Sequence, residues 1–374
     1  MRFWMLVGLV LLVVAGLAQS EAKPDVEVQT STFSSSLTSM QFKLMSQMNP
    51  QPVEFQDPKE GLTYIWWTYG FAHTTNLAPG QFKTRFAVFC QPASEIKRCQ
   101  QVARLLLRLY EMCNDRLKLN HTVETPFVNV FLSWGGTKTG GQQLYFTPSN
   151  TNGPAPRLSL IYIYQTSTLN NPVEWVREVA HEYGHAILPE VKGYTTPEGW
   201  ATGLMGERLF IRWIIEGMEA GKLTTEDTIG ATLPQLKAWE AKYIDPFEQV
   251  IWQRGLNLER LNGKDKAAML EYVGLALYAQ SAYGNQILTR AMKASGGVTA
   301  NDFLNGLKFA LDEQKNIKVK LPVLAHKAPV YLFLPGKKWS AGPGVIISEP
   351  VNGWVKVKTY RKLLTLTFSH KPAD

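Results

Sequence analysis

The residues from Asn171 to Pro189 leave little choice of local structure. Asn171 can cap a helix, Pro172 suits its first position, and Glu174 completes a capping-box-like pattern. Val173, Val176, Ala180 and Ile187 recur at helical spacing, and Pro189 ends the run. The opposite stripe holds Glu174, Glu178, His181 and His185. Within it lies His181-Glu182-Tyr183-Gly184-His185, an H-E-x-x-H run. Residues four apart share a helix face, so both imidazoles can reach one metal ion, with Glu182 beside them to act on water. The plainer reading of the same pattern is a surface helix with two solvated histidines.

A catalytic zinc takes three protein ligands and keeps a fourth position open. No histidine follows His185 until His326, so a carboxylate must complete the set. Glu190, Glu198 and Glu207 are the nearby candidates. Glu190 directly follows the helix-ending Pro189, and Glu207 lies further along the next helix. Thr195-Thr196-Pro197-Glu198-Gly199-Trp200-Ala201 favours Glu198: Thr196 can cap and Pro197 can begin a second helix, with Glu198 in its first turn. With H-E-x-x-H, a loop and then Glu198-Gly199-x-Ala201, the chain resembles the MA-like gluzincin peptidases. The resemblance covers roughly Ser94 to Leu311, with the proline directly preceding the glutamate here.

That resemblance implies a zinc peptidase in which His181, His185 and Glu198 hold the metal. Glu182 would act as general base toward water and return the proton to the leaving amine. Gluzincins often add a Tyr or His from a helical lobe to steady the oxyanion. Tyr272, Tyr278 and Tyr283 are candidates, and the resemblance favours Tyr272, which precedes a helix-ending Ala282-Tyr283-Gly284. Packing is the plainer role for each. The strand expected at Leu158–Tyr164 could be the edge strand that pairs with an extended substrate, or be an ordinary buried strand. No G-x-M-E-N exopeptidase motif is present, which favours endopeptidase action on a peptide or protein.

At 374 residues the chain can bury a large core. Met1-Arg2, the apolar run Phe3–Leu17 and the small-residue site Ala18-Gln19-Ser20 read as a signal peptide over residues 1–20, hence a secreted or periplasmic protein with no stable membrane span after cleavage; an uncleaved anchor is the alternative. Export permits disulfides. Of the three cysteines, Cys90 and Cys99 are a plausible pair, Cys99 and Cys113 lie two heptads apart on one helix, and three buried free thiols is the alternative. The net charge of +8 suits an anionic cell-surface polymer or simple solubility. The basic residues are scattered rather than blocked, which is not a nucleic-acid footprint. Asn120-His121-Thr122 is a glycosylation sequon.

Residues 21–60 read as a lead-in, Ser/Thr-rich and flexible over Gln29–Met40. Residues 61–316 read as a zincin-like domain. Strands are expected at Leu62–Phe71, Phe82–Cys90, Phe127–Leu132 and Leu158–Tyr164, with a long helix over Ser94–Leu119. Gly135-Gly136 and Gly140-Gly141 read as turns around a loop. From Pro197 to Leu311 the pattern is mostly helical, with main stretches at Glu198–Met218, Leu233–Tyr243, Ala267–Ala294 and Ala300–Leu311. The fold class is therefore α+β, with a mixed upper lobe and a helical lower lobe. Residues 317–374 read as a small β unit of short strands with turns at Pro335-Gly336 and Asn352-Gly353. Its Trp339, Trp354 and Tyr360 could form a ligand platform, although packing is the commoner use of such residues. Two other functions stay open: a non-catalytic zinc-binding cell-surface module, and a glycan-binding protein that works through the β unit.

Overall fold

A computed structural model describes residues 28–47, 55–56, 63–64, 66–73, 80–91, 96–121, 127–146, 158–336, 339–360 and 365–370. The expected signal peptide lies outside them. The chain is mixed α+β. Among the described residues no helix is long and apolar enough to cross a membrane.

The chain divides into two compact units. The first draws on the described residues up to Glu111, on Asn120–Ile187 and on Trp213–Gln235. Its strands are β1 (Val28–Ser34), β2 (Gln41–Gln47), the short pair β3 (Phe55–Gln56) and β4 (Thr63–Tyr64), β5 (Trp66–His73), β6 (Lys83–Cys90), β7 (Val128–Leu132), β8 (Gly141–Phe146) and β9 (Leu158–Ile163). Seven of them form one sheet in the order β1-β2-β5-β6-β7-β9-β8. β6, β7 and β9 run parallel, and every other neighbour pair is antiparallel.

Two differences from the sequence reading stand out. The Ser/Thr-rich lead-in is strand β1, a polar and almost wholly exposed edge strand paired along its length with β2. Leu158–Ile163 is not an edge strand: β7 and β8 flank it on both sides. The outermost strand is β8, hidden in the sequence because its glycines read as turn residues.

Helix α1 (Ile96–Met112) links β6 to β7 and is sunk deep in the core. Cys99, Val102, Ala103, Leu105, Leu106, Leu107 and Leu109 are all fully buried. The expected helix to Leu119 instead loosens into a π-helical turn over Cys113–Leu117, closed by left-handed Lys118 at φ 54°. Helix α2 (Pro172–Ile187) packs on β8 and β9. Asn171 caps it as expected: its side-chain oxygen accepts the Val173 N–H at 2.9 Å.

Buried charge also holds this unit. Arg108 Nε donates to Asp227 Oδ1 at 2.9 Å, Arg104 Nε donates to the same oxygen at 3.0 Å, and Arg108 also pairs with Glu111 at 3.1 Å. Asp227 sits in a 3-10 turn over Thr225–Thr228. Burial works to raise its carboxyl, but Arg108, the Thr224 N–H and Arg104 together hold it below the usual range. Cys90 and Cys99 are neighbours, with the Cys99 thiol donating to the Cys90 sulfur at 2.7 Å. All three cysteines are free and buried.

The second unit comprises Met112–Leu119, Leu188–Arg212 and Leu236–Asp374. Helix α3 spans Thr202–Glu219, and its residues up to Arg212 belong here. It is followed by α4 (Leu233–Tyr243), α5 (Asp245–Arg254), α6 (Leu258–Leu261), α7 (Lys266–Tyr283), α8 (Asn285–Ala294) and α9 (Ala300–Asp312). The expected helix Ala267–Ala294 is two helices, because Gly284 at φ 84° turns the chain between α7 and α8.

The tail forms two small sheets. One is β10 (Asn316–Lys320), β15 (Thr365–His370) and β12 (Trp339–Ala341). The other is β11 (Val330–Phe333), β14 (Trp354–Thr359) and β13 (Val345–Ile347). Trp354 is buried against Phe333 and Tyr278, with ring centroids 5.1 and 5.4 Å away. It therefore packs the tail onto α7, while Tyr360 stays exposed.

Candidate metal centre

Helix α2 buries one face and holds the other half-open. Val173, Val176, Val179, Ala180, Tyr183 and Ile187 lie inside, while His181 and His185 are half-buried on the opposite stripe. Their rings are 5.1 Å apart at 75°. His181, His185 and Glu198 each offer a donor atom, and all three atoms lie within 4.8 Å of one another. Two imidazoles and one carboxylate at this separation could share one metal ion and leave a coordination position for water or substrate.

Of the three carboxylates weighed from sequence, the structure brings Glu198 to the histidines. Glu190 lies 3.5 Å from Lys192 Nζ. Glu207 is buried on α3, 3.9 Å from Arg208. Glu198 is not in the first turn of a helix, however, since α3 begins only at Thr202. The backbone on either side of it is paired instead. Ala201 N–H donates to Val191 C=O at 2.8 Å, and Lys192 pairs with Trp200 as an antiparallel bridge. Gly193 N–H donates to Gly199 C=O at 3.2 Å. Glu198 thus sits in a tight turn pinned to the strand-like segment that leaves α2.

Glu182 is 3 % exposed and lies against the start of β8. A Cβ added to Gly141 would come within 2.6 Å of the Glu182 Cγ and closer still to its carboxylate. The Tyr145 hydroxyl of β8 donates to the Ala186 carbonyl of α2 at 3.3 Å, a second tie between strand and helix. Gly141 is in register with Ile163 of β9, which is in register with Leu132 of β7. The outermost strand therefore begins beside the carboxylate that neighbours the histidines. Its outer edge has no strand partner among the described residues.

Behind α2, Tyr183 is hydrogen-bonded to His121 Nδ1 at 3.0 Å, and Phe86 of β6 packs edge-on to both rings. Burial, reinforced by the Arg85 charge, lowers the His121 pKa to about 3, so it is neutral at ordinary pH. It is the histidine of the sequon, and nothing in the local sequence marked it as core.

Tyr272 lies on α7, fully buried and edge-on to Phe303 at 5.4 Å. Its hydroxyl donates to Met205 Sδ at 3.1 Å. Burial pushes its pKa well up, so it stays a proton-bearing donor. Tyr278 and Tyr283 bond each other at 3.0 Å, and both hydroxyls accept the Phe333 N–H at 3.0 Å. They serve to fasten α7 to β11. Tyr194, on the loop between His185 and Glu198, is 8 % exposed and was passed over in the sequence.

No protein-family model matches the chain, and no curated protein matches its sequence.

Proposed function

We propose that the protein is an exported zinc peptidase of the gluzincin kind, acting on peptide or protein chains. The observation that carries this reading is the convergence of His181, His185 and Glu198 with Glu182 next to the first histidine on the same helix. The half-buried His₂Glu donor set is the chemistry of a catalytic zinc rather than a closed structural site. Zinc held there supplies Lewis acidity, polarising a carbonyl and making water acidic near neutral pH.

The protein's own groups do the rest. Glu182, shielded by β8, accepts a proton from water as the water oxygen attacks the scissile carbonyl, then delivers it to the amine nitrogen as the C–N bond breaks. By resemblance, the donor to the developing oxyanion falls to Tyr272, which its raised pKa keeps protonated. The outer edge of β8, which has no strand partner among the described residues, can add an extended substrate as a further strand, which holds the backbone without demanding a sequence. That geometry favours internal cleavage of an unfolded segment, and the net charge of +8 suits substrates at an anionic cell surface.

The test is cleavage of a mixed peptide library by the zinc-loaded mature chain alongside Glu182→Gln. The expected result is cleavage that disappears in the variant, a loss of at least about 10²-fold, with zinc content unchanged. A variant as active as the native protein would remove the assignment of the base.

A further inference from the structure

Two nucleophilic side chains of the first unit take no part in the metal centre. Cys90 ends β6, and Cys99 stands in the first turn of α1, nine positions further on. Both residues are fully buried, and the Cys99 sulfur lies 2.7 Å from the Cys90 sulfur. A disulfide needs its sulfurs about 2.0 Å apart, so joining this pair asks for well under an ångström of approach. The backbone that presents Cys90 is already fixed, since Cys90 pairs with Trp66 of β5 on one side and Leu132 of β7 on the other. Helix α1 is held as firmly, with Val102, Ala103, Leu105 and Leu106 fully buried beyond Cys99.

Cys113 gives the comparison within the same chain. It is equally buried, on the π-helical turn that follows α1, and burial alone pushes its thiol up. Burial also pushes the Cys99 thiol up, and the neighbouring Cys90 adds to the effect. The thiolate is the form that attacks a disulfide, so the folded and reduced chain offers little of it. A bond between Cys90 and Cys99 is therefore made while the segment is still open. Once made, it sits where a reducing thiol cannot reach it.

We propose that Cys90 and Cys99 form a structural disulfide that staples the end of β6 to the start of α1, made during folding and then sealed in the core. The oxidant is an external disulfide, either glutathione disulfide or the disulfide of a thiol-exchange protein. One cysteine thiolate attacks a sulfur of that disulfide, whose S–S bond breaks as the other sulfur leaves with the electron pair. The second cysteine then attacks the mixed disulfide, which forms the Cys90–Cys99 bond and releases the second external thiolate. The two cysteines lose two electrons and two protons, and the external disulfide becomes two thiols. Cys113 stays a thiol. The bond stabilises the protein chiefly by removing freedom from the unfolded chain, and no step of it depends on the metal centre.

The experiment refolds the reduced, unfolded protein in a buffer of glutathione and glutathione disulfide, and in parallel in dithiothreitol. Thiols are then alkylated under denaturing conditions and counted by intact mass, and tryptic peptides are mapped. Trypsin cuts after Lys97 and Arg98, so Cys90 and Cys99 fall on different peptides and a link between them is visible. The expected result in the glutathione buffer is that linked pair, with Cys113 the one cysteine alkylated. All three cysteines alkylated, or a link to Cys113, overturns the proposal. Cys113→Ala should keep the link and Cys90→Ala should lose it, while the map of the unaltered protein decides the matter even where a variant fails to fold. The oxidised protein is expected to melt about 5–10 °C above the reduced one, and equal midpoints overturn the staple. Dithiothreitol should open the bond about tenfold or more slowly in the folded protein than in urea, and equal rates overturn its sealed position.

Discussion

Position 141 admits a hydrogen and nothing larger. The backbone of Gly141 runs so close to Glu182 that a methyl group would occupy the carboxylate's place. The strand cannot yield easily, since Gly141 pairs with Ile163 inside the sheet. The carboxylate must therefore move. On the peptidase reading proposed above, Gly141→Ala is expected to lower kcat by about 10²-fold, the usual cost of displacing a reacting group by an ångström, with zinc binding unchanged. Parallel kinetics and metal analysis would check this, and unchanged kcat would show that Glu182 needs no fixed position. At this scale the candidate donor cluster was legible in sequence, because its spacing is local: four residues on one helix, then a glutamate in a Pro-Glu-Gly turn. Tyr194 and His121 were not. What distinguishes them is burial, and burial depends on partners far along the chain, such as Phe86 around His121.

At the scale of elements, α1 carries one buried arginine, Arg108, and one half-buried, Arg104, and their shared partner comes from elsewhere. Arg108 and Asp227 have side chains 4 % and 3 % exposed. Removing one member of such a pair leaves the other charged without compensation in the interior. Asp227→Ala is expected to destabilise the fold by about 3 kcal/mol, the lower end of the range for broken buried pairs because Glu111 still meets Arg108. A shift of the urea midpoint at constant slope would measure it. The long helices and the buried strands β6, β7 and β9 were readable from apolar periodicity and β-rich runs. β1 and β8 were not, since an exposed Ser/Thr-rich strand and one that starts with glycine both imitate loops. The start of α3 was read several residues early, because Pro197 suits a helix start as well as it suits a turn. Backbone pairing to Val191–Gly193, invisible in sequence, decides between the two.

For the whole molecule, His121 sets a pH window. Its pKa falls from 6.5 unfolded to about 3 folded, because burial and Arg85 disfavour the charged ring. A depressed folded pKa means the unfolded chain binds the extra proton first. The associated stability is complete above about pH 6.5 and drains away as pH falls toward 3, at up to about 1.4 kcal/mol per pH unit. Asp227 adds a separate acid loss below its own ordinary range. His121→Phe should flatten the upper part of that slope in thermal melts between pH 7 and 4, and an unaltered slope would assign it elsewhere. The α+β class, the helical stretch and the β tail followed from sequence order, whereas the division into interleaved units did not, since it depends on which distant segments meet. One such meeting dictates an order of events. Arg108 waits for a residue 119 positions further along. As the chain emerges in sequence, the sheet strands and α1 are complete long before the turn that neutralises them. A nascent fragment ending before Thr225 would leave Arg108 with Glu111 alone and Arg104 without its carboxylates at Glu226 and Asp227. The first unit therefore completes its buried ion pair only after the chain has passed both the histidine helix and the Glu198 turn.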